Sequence, residues 1–276
     1  MRFVPHIPES FRRFATRTVE SLRLNTLREK RRRDRVVICK TRNVTGGWVA
    51  STTNFYFRLA GIPIRYCTDL AKWQQREIDC FNMLNSPAFH ADRIGKRTVR
   101  ADKVPGRSLY HYLVAGTLTT SMLEAAGREI GRAHRFWSDE FEDWWSHGDA
   151  SLTNLMYDER TGRVCLIDFE LTHVRALPAK LRQADDLRVV LQDMVRFVSE
   201  QDWLPCALAF LRSYGNEEVV DTLRTQLFVP RGLARIWWRV RTNFSDSRVV
   251  NDRLSALRYA LRRERASVPR GDFASA

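Results

Sequence analysis

The stretch Ser146–Glu170, SHGDASLTNLMYDERTGRVCLIDFE, constrains the fold more than any other part of the chain. It sets His147, Asp149 and Asn154 on one short polar loop. Apolar Leu155, Met156 and Tyr157 follow at once, Asp158–Gly162 have the composition of a tight turn, and Val164–Ile167 read as a second apolar strand. The pattern is a loop running into a hairpin whose far strand ends on Asp168.

Residues of these types in this order suit phosphoryl transfer from a metal-bound nucleotide. One carboxylate, Asp149, can orient the attacking hydroxyl and take its proton. An amide oxygen from Asn154 and a second carboxylate from Asp168 can hold magnesium as hard oxygen ligands. An HxDxxxxN spacing alone recurs by accident. The joint pattern of loop, turn and strand-end aspartate is what carries weight.

Composition bounds the remaining classes. At 276 residues, with 44% hydrophobic residues, the chain has enough material for a packed core and is poorly suited to disorder. Cys39, Cys67, Cys80, Cys165 and Cys206 are odd in number and lack metal-site spacing, which favours free thiols and a cytoplasmic setting. No apolar run has the length of a membrane span, and the first residues lack a signal-peptide apolar region. The net charge of +14 comes almost entirely from arginine. It fits either a solvated arginine-rich surface or attraction to a polyanion such as a nucleotide, a phosphorylated glycolipid or an acidic membrane. No nucleic-acid-binding module is visible, so no nucleic-acid partner is expected.

Residues 1–34 read as a basic helical extension, either packed on the main body, or a frayed basic terminus, or lying on an anionic membrane surface at the inner face. Residues 35–107 read as a small β-rich lobe. Its strands are expected at 35–40, within 48–59, at 62–67 and at 98–104, with a helix over 71–84 capped by Asp69. Residues 108–265 read as mainly helical, and 266–276 as a tail. The fold class is therefore α+β, with a β-rich N-terminal lobe ahead of a larger helical C-terminal lobe.

With that order in view, HGDASLTN and LIDFE resemble the catalytic loop and metal-binding strand end of the protein-kinase-like superfamily. The resemblance is greatest to its small-molecule branches: aminoglycoside phosphotransferases, choline kinases and lipopolysaccharide kinases. Glu170 after Asp168-Phe169, and Gly148 within the loop, favour those branches. The resemblance covers roughly residues 36–211 and is tight over 144–170. It implies a bilobal kinase-like fold, ATP and magnesium as cofactors, and a loop-positioning role for His147. Glu170 is either a contact near the metal or substrate, or a solvent-facing glutamate. Asp186 resembles a buried helix aspartate that braces the catalytic loop; a carboxylate favouring a helix N-terminus is the alternative.

The nucleotide side of the resemblance is looser. Glu77 matches the helix glutamate that pairs with a sheet lysine. Alignment of Ile62–Arg65 on the family pattern puts that cation at Arg65, with Lys40 of the first strand as its rival and a plain surface arginine as the third reading. Gly46 and Gly47, between two expected strands, form either a phosphate-approaching loop or an ordinary hairpin turn. Lys103 and Pro105 lie in the stretch 103–109, which either fits the connector whose backbone binds adenine in the family or is a proline-glycine turn without a ligand. Ser151 stands where many protein kinases carry a lysine, so phosphate charge must be met elsewhere, an arginine being suited. Only a short link separates Phe169 from Asp185-Asp186, with no long activation segment. Trp144 and Trp145 read as core or acceptor-pocket walls, and Trp237 and Trp238, among arginines, as lobe packing or a lipid-facing anchor.

These features point to a phosphotransferase acting on a hydroxyl of a small-molecule or glycolipid acceptor, a lipopolysaccharide core sugar being the first to test. The other readings are a pseudokinase or nucleotide-binding regulatory protein, a protein serine/threonine kinase, and a membrane-surface scaffold.

Overall fold

The computed structural model describes residues 24–32 and 35–267. The described residues divide into two compact units, those up to Tyr56 with Tyr66–Lys103, and Phe57–Arg65 with those from Val104 onward. The chain is an α+β protein with an antiparallel sheet in its N-terminal part and helices dominating its C-terminal part.

The first unit is built on strands β1 (Asn25–Arg32), β2 (Arg35–Arg42), β4 (Ala91–Ile94) and β5 (Thr98–Asp102), in the order β1-β2-β5-β4. Along β2, Val37 and Cys39 are buried on one face and Lys40 and Arg42 on the other, as in a strand covered on both sides. Helix α2 (Leu70–Asn85) is started by Asp69, whose carboxylate accepts from Lys72 N–H at 2.8 Å. It is stitched to the sheet by Asn82, which bonds both backbone groups of Ala91, and by Gln74, which donates to the carbonyls of Gly95 and Thr98.

Two expectations are corrected here. Of the helical extension over 1–34, residues 1–23 lie outside the described residues, and Asn25–Arg32 is strand β1. Its side chains are nearly all exposed, so it lacks the alternation that marks a strand. Charge is what an edge strand uses to discourage further pairing. The second correction concerns 48–59, where aromatic and β-branched residues predict strand. The structure forms helix α1 (Gly46–Leu59). Its buried positions Gly46, Ala50 and Phe57 recur at helical spacing. Ser51 and Thr52 satisfy their hydroxyls on carbonyls four residues back. Asn54 instead makes paired bonds to the backbone of Tyr66, at the end of β3 (Ile64–Tyr66).

In the second unit, β6 (Arg107–Ser108) leads into α3 (Leu109–Ala115), then α4 (Thr120–Ala133) and a short β7 (Trp137–Ser138)–β8 (Asp143–Trp144) pair. The hairpin β9 (Leu155–Asp158)–β10 (Arg163–Leu166) joins β6 in one sheet, and β11 (Leu171–His173) pairs with β3. Five helices follow: α5 (Ala179–Phe197), α6 (Glu200–Tyr214), α7 (Glu217–Gln226), α8 (Ala234–Arg241) and α9 (Ser247–Ser267). Leu123, Ala126 and Ile130 give α4 one apolar stripe, which packs on α6 through Phe210 and Tyr214. Helix α5 is buried around most of its girth, with Ala184, Leu187, Val190 and Met194 fully buried and the carboxylates of Asp185, Asp186 and Asp193 buried as well. It is the central post on which the loop at 146–154 is mounted. Among the described residues no helix is long and apolar enough to cross a membrane. The five cysteines are free thiols.

Candidate active site

The loop 147–154 is held at both ends by carboxylates of α5. Asp186, fully buried, accepts from His147 N–H at 2.7 Å through one oxygen and from Gly148 N–H at 2.9 Å through the other. Asp193, seven residues on and so on the same helix face, accepts from Leu152 N–H at 2.7 Å. Asp186 is not at the start of its helix: α5 begins at Ala179, so this carboxylate is an interior one. Gly148 has φ +88 and packs so closely that a Cβ would lie 3.0 Å from the Leu171 carbonyl oxygen, which leaves glycine the fitting residue.

Burial opposes the charge on Asp186. The hydrogen bond from His134, with the neighbouring histidines, more than offsets this and holds its carboxyl below the ordinary range. His134 donates to Asp186 from Nε2 at 3.1 Å and accepts from the Tyr214 hydroxyl at Nδ1, 2.8 Å away. The brace thus extends from the loop through α5 to α4 and α6. Nothing in the local sequence around His134 signals this role.

His147 is fixed as a neutral ring. Its Nδ1 accepts from Asp149 N–H at 3.2 Å, so Nε2 carries the proton and donates to the Ile167 carbonyl at 3.1 Å. Burial pushes its pKa down, which agrees with neutrality. The ring packs on Phe169, which is fully buried beside Trp145. With both nitrogens engaged by backbone, His147 organises the loop and has no lone pair left for a proton from substrate.

These contacts bring Asp149, Asn154 and Asp168 into one neighbourhood. Asn154 donates from its side-chain nitrogen to the Asp149 carbonyl at 2.9 Å, which turns its amide oxygen away as an available acceptor. Its backbone carbonyl accepts from Ile167 N–H at 3.0 Å, tying the loop to the residue before Asp168. Asp168 itself has φ +65, an uncommon conformation for a residue with a Cβ and one that concentrates at functional sites. Its carboxylate and that of Glu170 come within 4.8 Å of each other, both half-buried. Asp168 and Glu170 supply converging carboxylate oxygens, and Asn154, bonded through its backbone to the residue before Asp168, supplies an amide oxygen, donors of the kind magnesium prefers. The residues present therefore fit that ion.

The half-buried Asp149 is engaged by Arg241 at the end of α8, whose Nη1 donates to its Oδ1 at 2.6 Å. Burial works against the guanidinium's charge, but Asp149 and Asp193 outweigh it and keep Arg241 firmly protonated. Burial also pushes the Asp193 carboxyl up to about 7. Asp185 is held well below the carboxylate range despite its burial, because Arg188 and His173 pair with it. Arg241 and Asp193 are the principal residues that sequence reasoning missed. Arg241 belongs to the basic aromatic patch around Trp237 and Trp238, which gave a signal without a role. Trp238 is buried, Trp237 lies under the Arg241 guanidinium, and Trp144 is half exposed, edge-on to Trp137.

In the first unit, the partner of Glu77 is Lys40, with Nζ 2.5 Å from Oε1 and both side chains buried. The pattern-based alignment that favoured Arg65 is corrected: Arg65 sits on the three-residue β3, outside the four-stranded sheet, with its side chain exposed. Lys40 comes from the interior strand β2, on the face opposite Val37 and Cys39, and from there its side chain reaches Glu77 of α2. Gly46 and Gly47 open α1 and are not a loop between strands. A Cβ on Gly46 would meet the Leu24 carbonyl oxygen at 2.7 Å, so chain packing accounts for that glycine. Lys103 donates its backbone N–H to the Val36 carbonyl and its ammonium to Glu29, 2.7 Å away. Pro105 lies in the stretch without regular structure between β5 and β6.

No protein-family model matches the chain, and no curated protein matches it. Among solved structures it is similar to an ethanolamine kinase of Plasmodium vivax, at 8% sequence identity and a TM-score of 0.43, covering 93% of this chain and 85% of that one. Likeness at this level assigns no activity.

Proposed function

We propose that the protein is an ATP- and magnesium-dependent phosphotransferase acting on a hydroxyl of a small-molecule or glycolipid acceptor. The observation that carries this reading is the mounting of Asp149. Its loop is bonded to Asp186 at one end and Asp193 at the other, the Asn154 side chain donates to the Asp149 carbonyl, and the Asn154 carbonyl accepts from Ile167, the residue before Asp168. A phosphoryl group in flight needs little covalent help and depends on fixed charge and position, which such a mounting supplies.

In this reading Asp149 orients the acceptor hydroxyl and receives its proton as the acceptor oxygen bonds to the γ-phosphorus of ATP and the bond from that phosphorus to the β–γ bridging oxygen breaks, ADP leaving. Asn154 and Asp168, with Glu170 adjacent, would hold magnesium, which when bound neutralises phosphate charge. Lys40, kept in place by Glu77, is the cation of the first unit proposed to meet nucleotide phosphates. His147 and Asp186 hold the backbone that carries Asp149. Among acceptors, a lipopolysaccharide core sugar is the first to test, because such a sugar presents hydroxyls among anionic groups that suit a chain of net charge +14.

Purified protein incubated with Mg-ATP and a panel of hydroxyl acceptors is expected to transfer phosphate, and Asp149→Ala is expected to abolish transfer while still binding Mg-ATP. Unchanged transfer by that variant would refute the role of Asp149. One observation favours a second reading, a nucleotide-binding regulatory protein: Gly46 and Gly47 begin a helix and supply no glycine loop. Tight Mg-ATP binding with no transfer to any acceptor, protein substrates included, would select it.

A further inference from the structure

Asp149 and Arg241 together specify more than a reaction type. A hydroxyl that Asp149 orients must lie one hydrogen bond, about 2.7 Å, from its carboxylate. The Arg241 guanidinium is itself 2.6 Å from Oδ1 of that carboxylate. Whatever molecule offers the hydroxyl therefore lies against a fixed positive charge. We propose that Arg241 selects the acceptor, and that the acceptor carries an anionic group, a phosphate or a carboxylate, next to the hydroxyl that is phosphorylated. This rests on the phosphotransferase reading above.

Three features mark Arg241 as a built contact. Its side chain is only 10% exposed, unlike the many surface arginines of this chain. Its guanidinium lies 5.0 Å over the Trp237 ring, and Trp237 meets Phe57 edge-on at 4.9 Å, so stacking holds the plane in place. Its Nε is buried with no hydrogen-bond partner, so Asp149 does not exhaust its donors.

The surrounding charges leave the guanidinium available. Asp185 is already paired with Arg188 and His173. Asp193 gives its Oδ2 to Leu152 N–H and, with its pKa pushed up to about 7, carries only part of a charge near neutrality. Asp149 is then the main counter-charge, and it is the group that turns to the incoming hydroxyl. A planar, part-buried guanidinium is suited to two oxygens of one phosphate or carboxylate. An amino alcohol would instead bring a like charge within about 5 Å of it, which is unfavourable at reduced dielectric.

The test uses full-length protein, Mg-ATP and acceptors matched in their hydroxyls: glycerol against glycerol 3-phosphate, glucose against glucose 6-phosphate, and ethanolamine as the cationic member. Wild-type protein is expected to show a KM about 10- to 100-fold lower for the phosphorylated member of each pair, the range of a charge-assisted bidentate contact. Arg241→Met should erase that ratio through KM, and Arg241→Lys should retain part of it. A wild-type preference for ethanolamine, or an Arg241→Met variant that loses kcat equally on both members with the KM ratio intact, overturns the proposal. The stabilisation of each variant by Mg-ATP in thermal unfolding reports whether it is folded; should Arg241→Met fail there, Arg241→Lys decides by the same KM ratio. If Mg-ATP binds but no acceptor is phosphorylated, the phosphotransferase reading fails separately. Thermal stabilisation by glycerol 3-phosphate, present in wild type and lost in Arg241→Met, would then still support the anion contact, and its absence in wild type would sink it.

Discussion

Asp186 and Asp193 stand two turns apart on one face of α5 and grip the loop 147–152 at its two ends. The same helix thus sets both the position of Asp149 and the charge around it. The two carboxylates are not equivalent: Asp186 is held ionised by its hydrogen-bond donors, whereas burial raises Asp193. Opposite shifts on one helix face make the two residues separable by experiment.

Replacing Asp186 by Ala leaves the N–H groups of His147 and Gly148 and the His134 ring without their acceptor inside the protein. The expected loss is about 3 kcal/mol of unfolding free energy, in keeping with breaking a buried charged network. Urea unfolding monitored by tryptophan fluorescence measures it. A loss below about 1 kcal/mol would mean that the loop has another anchor.

Asp193 carries a pH signature. Its folded pKa of about 7 lies above the value near 4 expected when unfolded, so the folded state holds the proton more tightly. The stability linked to that proton is complete below about pH 4 and is lost as pH rises toward 7. Asp193→Asn keeps an acceptor for Leu152 N–H and cannot ionise. Relative to wild type it should gain about 2 to 3 kcal/mol between pH 5 and pH 8. Denaturation at the two pH values tests this, and a pH-independent difference would count against it.

Lys40 and Glu77 form the buried ion pair of the first unit. Lys40→Ala should cost about 2 kcal/mol of stability by leaving Glu77 without that cation, and should weaken ATP binding about tenfold or more. Arg65→Ala, at an exposed position, should change stability by less than about 0.5 kcal/mol and leave ATP affinity near wild type. Isothermal calorimetry with ATP on both variants decides; a larger effect from Arg65 would restore it as the phosphate cation.

Asp168→Asn keeps the side-chain shape and removes a charge from the proposed magnesium ligands. The magnesium concentration for half-maximal strengthening of ATP binding should rise about tenfold, as hard-ligand sites lose affinity with ligand charge. Equilibrium titration with fluorescent ATP across magnesium concentrations measures this without turnover. An unaltered magnesium dependence would move the metal site elsewhere.

Much of the local architecture was legible in the sequence. Asp69 caps α2 as its position implies, and Asp158–Gly162 turn the β9–β10 hairpin, with Gly162 N–H donating to the Asp158 carbonyl at 2.8 Å. Such features depend on backbone preferences over a few residues, which composition and spacing encode directly. Helix α1 and strand β1 escaped for the complementary reason. Aromatic residues at 48–57 favour strand locally, while only the packing of Ala50 and Phe57 selects helix. The charged residues of β1 carry no alternation because an exposed edge does not need one.

By itself the sequence determined the chemical inventory: Asp149, Asn154 and Asp168 follow one another within twenty residues, and their types alone restrict the chemistry. Which groups govern them was decided only by tertiary structure. Lys40 meets Glu77 from 37 residues away, and Arg241 meets Asp149 from 92. Neither pairing has a local energetic signature. Side-chain direction in a twisted sheet and at the end of a packed helix is a property of the folded body, so long-range ion pairs become readable only once that body exists.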